Sequence, residues 1–171
     1  MPGNFKFVLK ASRRITHVQQ LKDVAEPLTY LFGAASVLKE HQGPLLFQLP
    51  PGFRKNAGRL REFLDLLPLG CPAAFEFRHA SWFDREVLDL LRERRVVLCI
   101  ADAESALPVP VVATADWGYL RLRRPDYDDS ELKRWAEAVR SKSWRRAFVF
   151  FKHEEAGKGP QMARRFLELA A

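Results

Sequence analysis

The sequence FEFRHASWF, residues 75–83, has the pattern of a β-strand that runs into a turn and then into a helix. Successive side chains of a strand point to opposite faces, so Phe75 and Phe77 share one face. Glu76 and Arg78 share the other face, which places a carboxylate beside a guanidinium. Such a strand predicts a sheet that packs under helices and has a polar interior at one end.

Strands and helices alternate along the rest of the chain. Apolar runs predict six strands, at residues 5–10, 45–49, 73–78, 96–101, 119–122 and 147–151. Capping residues support the helices between them: Asn56, Ser81 with Asp84, and Asp128 with Glu131. About six strand–helix units imply an α/β fold with a parallel sheet, as a doubly wound open sheet or as part of a (β/α)-barrel. No glycine-rich phosphate loop follows a strand, which weakens dinucleotide-binding and P-loop alternatives.

Composition sets broader bounds. With 171 residues and 47% hydrophobic content, the chain is long enough for one domain with a real core. No apolar run is long enough for a membrane span, and residues 1–6 lack a secretory apolar core, so we expect a cytoplasmic protein without a membrane partner. The net charge of +7 permits an anionic partner, although the scattered basic residues are weak support for nucleic acid.

Polar residues gather at the predicted carboxyl ends of the strands, where parallel α/β folds bind their ligands. The amino ends of the same strands carry plain apolar residues. Such an arrangement would rarely arise by chance, so we expect these side chains to line one site. The residues concerned are Lys10, Ser12, Gln48, Glu76, Arg78, His79, Asp102, Arg121, Lys152 and His153.

Charge counting favours an anionic ligand. The set contains two carboxylates and four cations, and a partly buried set of this kind needs either internal pairing or a ligand. Internal pairing would leave a positive surplus. The guanidiniums of Arg78 and Arg121 suit bidentate recognition of a phosphate, carboxylate or sulfate, and the ammonium groups of Lys10 and Lys152 add point charges.

Other interpretations of the same residues stay open. A network of Glu76, Arg78, Asp102 and Arg121 could simply be a satisfied core. Those two acids and the histidines at 79 and 153 are usable metal ligands or acid–base groups, but four nearby cations would lower metal affinity, so no metal site is assigned. The cofactor is unknown.

Two further clusters lie in loops. Residues 11–17 carry Ser12, Arg13, Arg14, Thr16 and His17 directly after the first strand, as an anion site or as a solvated loop with hydroxyl caps. Aromatic residues near other strand ends could stack on a base or a sugar ring, or could simply pack; they are Trp82, Trp117, Tyr119 and Tyr127.

Several stretches, in order through nearly the whole sequence, carry a family resemblance. They are FVLKASRRITH (7–17), FQLPPGF (47–53), FEFRHASWF (75–83), IAD (100–102), TADWGYLRL (114–122), Tyr127 and FFKHE (150–154). With these stretches the chain resembles the YecE-like family, a domain-of-unknown-function family with a TIM-barrel-type fold. The resemblance implies that the polar strand ends line the mouth of a barrel, and it implies no established activity.

One departure from the family pattern concerns the start of the chain. Family members begin with two further strand–helix units that nothing here matches, so we expect a single partial β/α-barrel domain over residues 1–171, with about six of eight units. Residues 5–10 and 147–151 would then be open sheet edges capable of self-association. A mispredicted start codon, a truncated gene, or assembly with another chain would each explain this.

The functional expectation is binding of an anionic, phosphate-bearing ligand at the carboxyl ends of the strands. Lys10, Arg78, Arg121 and Lys152 would hold the anion, beside Ser12 and Gln48. Glu76, Asp102, His79 and His153 would orient these groups or act in acid–base chemistry, which makes phosphoester hydrolysis the enzymatic version. The alternatives are a non-catalytic nucleic-acid-binding or adaptor module and a truncated non-functional remnant.

Overall fold

The structure is a computed structural model that describes residues 4–103, 107–152 and 157–170. The chain divides into two compact units, Met1–Val96 and Val97–Ala171. Both units are mixed α/β, with parallel strands and helices in alternation.

Three parallel strands with their helices make up the first unit. The strands β1, β2 and β3 lie side by side in that order, and Gln48 is in register with Glu76 at their carboxyl ends. The elements are β1 (Phe7–Lys10), α1 (Ala25–Ser36), β2 (Gln42–Gln48), α2 (Ala57–Asp65), β3 (Ala73–Glu76) and α3 (Arg85–Glu93).

Aromatic rings fill the core of this unit. The rings of Phe77 and Trp82 stack with centroids 4.7 Å apart, and Phe47 stacks on Phe75 at 5.3 Å. The indole Nε1 of Trp82 donates a hydrogen bond of 2.7 Å to the carbonyl of Phe53, which satisfies its one polar atom. Residues 75–83 therefore do anchor the sheet, as their pattern predicts.

The helix caps are partly as predicted. Asn56 caps α2, since its Oδ1 accepts a 2.9 Å hydrogen bond from the backbone of Arg59. The expectation that Ser81 caps α3 is wrong, because residues 80–82 form a short 3₁₀ turn and the helix starts later. Asp84 is the cap, with its Oδ1 accepting from the backbone N–H of Val87 at 3.0 Å.

The second unit holds the remaining strands and two helices. Its parallel strands β5, β6 and β7 lie side by side, with Asp102 in register with Leu122. The elements are β4 (Val97–Leu98), β5 (Ile100–Asp102), β6 (Trp117–Leu122), α4 (Asp129–Arg140), β7 (Arg146–Phe151) and α5 (Lys158–Ala170).

The strand predicted over residues 96–101 is divided at Cys99 into β4 and β5. Within β4, the N–H of Leu98 donates to the side-chain Oγ1 of Thr114, at 2.9 Å. No helix follows β5 in the described residues, 103 and 107–116, which contain Pro108 and Pro110. Proline removes a backbone donor and restricts the residue before it, so this segment favours extended backbone.

Helix α4 begins as predicted and covers a second apolar core. Asp128 and Glu131 form a capping box, in which each side chain accepts from the backbone of the other residue. A close approach lies on the strand side, because a Cβ added at Gly118 would come within 2.5 Å of the Trp144 ring. The buried cluster comprises Leu122, Tyr127, Leu132, Ala136, Met162 and Phe166.

Central and edge strands differ in burial. Every described residue of β3 is buried, whereas β1 and β7 consist of half-buried and exposed residues. Among the strands that the structure describes, β1 pairs with β2 alone and β7 with β6 alone, and no closed barrel is formed. No helix in the described ranges combines the length and the apolar character that crossing a membrane requires.

Candidate functional site

A hydrogen-bonded row of side chains crosses the carboxyl ends of β1, β2 and β3. The ammonium of Lys10 donates to Oε1 of Gln48 at 2.9 Å, and Nε2 of Gln48 donates to Oε1 of Glu76 at 2.9 Å. The same carboxylate oxygen accepts from Nε of Arg78 at 3.0 Å. We call Lys10, Gln48, Glu76 and Arg78 the strand-end row.

Register and alternation create this row. Gln48 is the direct neighbour of Glu76 in the parallel pair β2–β3, so the two side chains meet on the same face. Both are buried, with exposures of 4% and 1%. A buried carboxylate needs hydrogen bonds and a counter-charge, and Arg78, two residues along the chain, supplies both.

The row exposes its cations and buries its acid. Lys10 is exposed and the Arg78 side chain is 31% exposed, whereas Glu76 is sealed. The four side chains together carry two positive charges and one negative charge. Solvent therefore meets the cationic ends of the row, and an anion approaching these strand ends would meet an ammonium and a guanidinium.

The loop after β1 adds His17 to this neighbourhood. The hydroxyl of Thr16 donates to the backbone carbonyl of Ser12 at 3.2 Å, and the Thr16 Oγ1 lies 2.8 Å from Nδ1 of His17. Burial, and then the positive charges of Arg13, Lys10 and Arg78, lower the pKa of His17. The imidazole is therefore held neutral by its surroundings.

Two other predicted site residues in this unit have local roles. Nδ1 of His79 accepts from the backbone N–H of Ser81 at 3.1 Å, which starts the 3₁₀ turn. The hydroxyl of Ser81 lies 2.8 Å from the same nitrogen and accepts from the backbone of Lys55. Ser12 is exposed, and its carbonyl accepts three hydrogen bonds from Ile15 and Thr16.

Asp102 belongs to a separate network in the second unit. Its Oδ2 accepts from Nε of Arg124 and from the hydroxyl of Tyr127, each at 3.0 Å. The Arg124 guanidinium also contacts Oε1 of Glu131 at 2.6 Å and lies over the Tyr127 ring, 4.3 Å from its centroid. We call Asp102, Arg124, Tyr127 and Glu131 the Asp102 network.

Electrostatics in this network follow from its pairing. Burial and the hydrogen bond to Asp102 raise the pKa of Tyr127 to about 12, so its hydroxyl stays protonated as a donor. The Arg124 guanidinium holds the pKa of Glu131 below its usual range. The network carries two carboxylates and one guanidinium. It flanks a cleft of about 410 Å³, lined by Asp102, Arg124, Glu131, Arg134, Trp135 and Ala138.

The remaining predicted residues lie on β6 and after β7. Arg121 is half-buried, opposite Ala101 and Phe150 in the strand register. Lys152 is exposed, and its backbone N–H donates to the carbonyl of Leu122 at 3.1 Å. His153, with Glu154, lies outside the described residues.

Metal ligation was the weaker alternative for the acids and histidines. Within residues 4–103, 107–152 and 157–170, no group of three or more His, Cys, Asp or Glu side chains comes together in a way that could hold an ion.

Sequence reasoning missed two members of the Asp102 network. Arg124 was only one of several arginines between 121 and 124, and Glu131 was recognised only for its capping role. The available signal was the position of Arg124, two residues past the end of β6, because the neighbouring strand β5 ends at Asp102. Arg78 stands at the same offset past β3.

Comparison with known proteins places the chain in a family. The crystal structure of a DUF72 family protein from Thermotoga maritima matches with a TM-score of 0.87 at 24% identity, covering 99% of this chain and 75% of that one. A DUF72 family protein from Enterococcus faecalis matches with a TM-score of 0.80 at 20% identity, covering 99% and 79%. At these identities the likeness concerns the fold alone, and no curated protein matches the sequence. Residues 1–171 match the family model described as "Protein of unknown function DUF72", and the chain therefore belongs to this family, also called YecE-like.

Proposed function

We propose that the chain binds an anionic, phosphate-bearing ligand at the carboxyl ends of β1, β2 and β3. Lys10 and Arg78 contact the anion, and Glu76 positions the Arg78 guanidinium. The observation that carries the proposal is the strand-end row, in which one sealed carboxylate orients a guanidinium and, through Gln48, connects to an ammonium.

The chemistry of the row favours a tetrahedral oxyanion. Arg78 uses Nε to bond Glu76, which leaves its terminal nitrogens to face a ligand with fixed geometry. Lys10 adds a point charge on a long flexible stem. Glu76, at 1% exposure, is a positioning residue, because a ligand cannot reach it without displacing its neighbours.

We also propose that the fold is of the TIM-barrel type, one partial domain with about six of eight β/α units. Asp102, Arg121, Lys152 and His153 are proposed site residues that lie at or after the carboxyl ends of the later strands in the sequence. The order of alternating parallel strands and helices in each unit supports this proposal.

Phosphoester hydrolysis is the enzymatic form of the proposal. Asp102 and the histidines at 79 and 153 are the acid–base candidates, with Ser12 and Gln48 as ligand-binding residues. Hydrolysis needs a group that can take a proton from water, and Asp102, at 25% side-chain exposure, is more accessible than Glu76.

Two proposals concern the cell and the assembly. We place the protein in the cytoplasm, without a membrane partner. The edge strands β1 and β7 carry half-buried and exposed residues, among them Phe150, and each pairs with one described strand. Unpaired edges invite strand addition, so self-association is expected as concentration rises. A sizing experiment over a hundredfold concentration range that shows one monomeric species throughout would contradict this.

Anion binding is tested by calorimetric titration of the whole chain with inorganic phosphate and with sulfate. Lys10→Met and Arg78→Met should each weaken binding about tenfold or more, as expected for loss of a charge-assisted hydrogen bond. The matched control is Arg85→Met, because that side chain is 94% exposed on α3 and belongs to a surface ion pair. Equal affinity in all three variants would contradict the proposal.

Hydrolysis is tested separately, with an aryl phosphate and an aryl phosphodiester as substrates. Asp102→Asn should abolish turnover while phosphate binding persists, because binding is assigned to Lys10 and Arg78. A steep loss of nucleic-acid binding with salt in Asp102→Asn, with no turnover in either protein, would instead favour the non-catalytic binding module.

A further inference from the structure

The loop between β1 and α1 is held in one conformation by its own buried side chains. Ile15, Thr16, Leu21 and Val24 are at most 3% exposed. Hydrogen bonds from Leu21 N–H to the Ile15 carbonyl (3.0 Å) and from Gln19 Nε2 to the Asp23 carbonyl (2.9 Å) close the loop on itself. These contacts fix the backbone of the loop and, with it, the positions from which its polar side chains extend.

The loop also contains left-handed backbone at non-glycine residues. Gln20, Leu21 and Asp23 have φ angles of 46°, 69° and 52°. Such backbone is unfavourable for a residue with a side chain, and it persists only where its surroundings enforce it. Strain of this kind clusters at active sites, ligand clamps and switch regions.

The polar group that it holds is the ring of His17. The hydroxyl of Thr16 has one proton, which it donates to the carbonyl of Ser12. With that proton on the Ser12 carbonyl, we assign Nδ1–H of His17 as the donor in its 2.8 Å contact with Oγ1. This tautomer leaves the basic lone pair of the neutral ring on Nε2, where a second proton would bind.

The cations that act on His17 are Arg13 on the same loop, Lys10 at the end of β1, and Arg78 directly after β3. Two acids pair with charged groups near this loop: Glu76 accepts from Arg78, and Glu26 of α1 bonds Arg14 at 3.1 Å. Burial, followed by the charges of Arg13, Lys10 and Arg78, lowers the pKa of His17 and so favours the neutral imidazole.

We propose that His17 is the proton-accepting member of the anion site, so that binding of a dianion at Lys10 and Arg78 is coupled to uptake of one proton at Nε2 of His17. This rests on the proposed function. The proton comes from solvent, and no bond of the ligand breaks. The ligand's negative charge offsets the three cations that oppose protonation, and the imidazolium then adds a fourth positive charge to the site.

Thermodynamic linkage makes the coupling measurable in two ways, as a change in the pKa of His17 and as a change in anion affinity with pH. A ligand that raises the pKa of His17 must bind more tightly to the protonated protein, by the same factor. Affinity for a dianion should therefore rise as the pH falls through the range in which His17 titrates. Sulfate is the suitable probe, since it remains fully ionised in that range and contributes no protonation of its own, unlike phosphate.

The experiment is a pH titration of the histidine ring signals by two-dimensional NMR, without and with saturating sulfate. The pKa of His17 should rise in sulfate, and sulfate affinity at pH 5.5 should exceed that at pH 7.5 about fivefold or more. His41 is the internal control, since its Nδ1 contacts the Phe5 carbonyl at 2.9 Å and it does not enter the electrostatics of His17. His17→Gln should abolish the pH dependence of sulfate binding.

The outcomes separate this inference from the proposed function. Sulfate binding that perturbs the Nε–H signal of Arg78 while the pKa of His17 stays constant would overturn the coupling and leave the anion site standing. Sulfate binding with the same pH dependence in His17→Gln would also overturn it. Failure of sulfate to perturb Arg78 at all would overturn both.

Discussion

Two strand-end carboxylates, one in each unit, are stabilised in opposite ways. Glu76 at the end of β3 is buried, and one of its oxygens accepts from both Arg78 and Gln48. Asp102 at the end of β5 keeps 25% of its side chain exposed and is bonded to Arg124 and Tyr127. Both use an arginine two residues past the end of a strand, but Arg78 follows Glu76 on the same strand, whereas Arg124 follows the neighbouring strand β6.

The two networks differ in the sign of their net charge. In the Asp102 network, Arg124 is shared with a second carboxylate, Glu131, so acids outnumber cations. In the strand-end row, the one acid, Glu76, accepts from Arg78 and connects through Gln48 to a second cation, Lys10, so cations outnumber acids. An acid at the end of a strand therefore does not by itself define an anion site; the sign of the charge left over after pairing does.

The largest expected effect on stability is the loss of Glu76, which can be compared directly with the loss of Asp102. Glu76→Ala should lower the free energy of unfolding by about 3 kcal/mol, because it leaves Arg78 and the buried Gln48 amide without their shared acceptor. Asp102→Ala should cost only about 1 kcal/mol, since Arg124 keeps Glu131. Urea denaturation at pH 7.5 measures both.

Glu62→Ala, an exposed position on α2 in the same unit as Glu76, is the matched control and should change stability by less than about 0.5 kcal/mol. Equal losses for Glu76→Ala and Asp102→Ala would remove the distinction between a sealed acid and a shared one.

An intermediate effect is expected at Tyr127, whose hydroxyl donates to Asp102 and accepts from the Arg124 backbone. Tyr127→Phe should destabilise by about 1 kcal/mol at neutral pH. The pKa of Tyr127 is raised to about 12, above the value of the unfolded chain. Its stabilising effect is thus complete below about pH 10 and is lost as the pH rises toward 12.

Denaturation of wild type and Tyr127→Phe between pH 8 and pH 11.5 tests this sign. The two stabilities should converge as the pH rises, because only the wild type must lose a proton from this site on unfolding. A constant difference over the whole range would mean that the hydroxyl does not depend on Asp102.

The smallest effect concerns His17. Its pKa in the folded chain lies below the ordinary value of 6.5, so the unfolded chain takes up the proton first as the pH falls. Stability should therefore be fully present above pH 6.5 and fall below it. His17→Asn should leave stability at pH 7.5 within about 0.5 kcal/mol and should show a shallower loss between pH 6.5 and pH 5.

An unchanged slope in His17→Asn, measured by urea denaturation in sulfate-free buffer, would show that the cations of the strand-end row do not act on this ring. His41→Asn serves as the matched control, since it removes a histidine of the same unit.

Local patterns in the sequence predicted those features that depend on neighbours along the chain. Alternation in residues 75–78 places Glu76 beside Arg78, and a capping box needs only the three-residue spacing of Asp128 and Glu131. Ser81 and Asp84 are both good caps three residues apart, so the pattern could not decide between them. The 3₁₀ turn, with His79 as acceptor, decided in favour of Asp84.

Features that join distant segments were not predictable in the same way. Pairing of Asp102 with Arg124 and Tyr127 depends on the register of β5 against β6 and on where α4 starts. The neutral state of His17 depends on Lys10 and Arg78 meeting at one end of the sheet, although they are 68 positions apart in the sequence. The contribution of Gln48, which links Lys10 to Glu76, required the parallel register of β2 and β3.

The left-handed backbone at Gln20, Leu21 and Asp23 has a practical consequence for protein engineering. Glycine adopts this conformation without steric penalty, so Gln20→Gly and Asp23→Gly are places where a residue with no side chain would fit the resident geometry at least as well. The same substitutions would raise the conformational entropy of the unfolded loop, which opposes folding. These glycine substitutions are therefore not a route to higher stability. They are a way to increase the flexibility of the loop that carries His17.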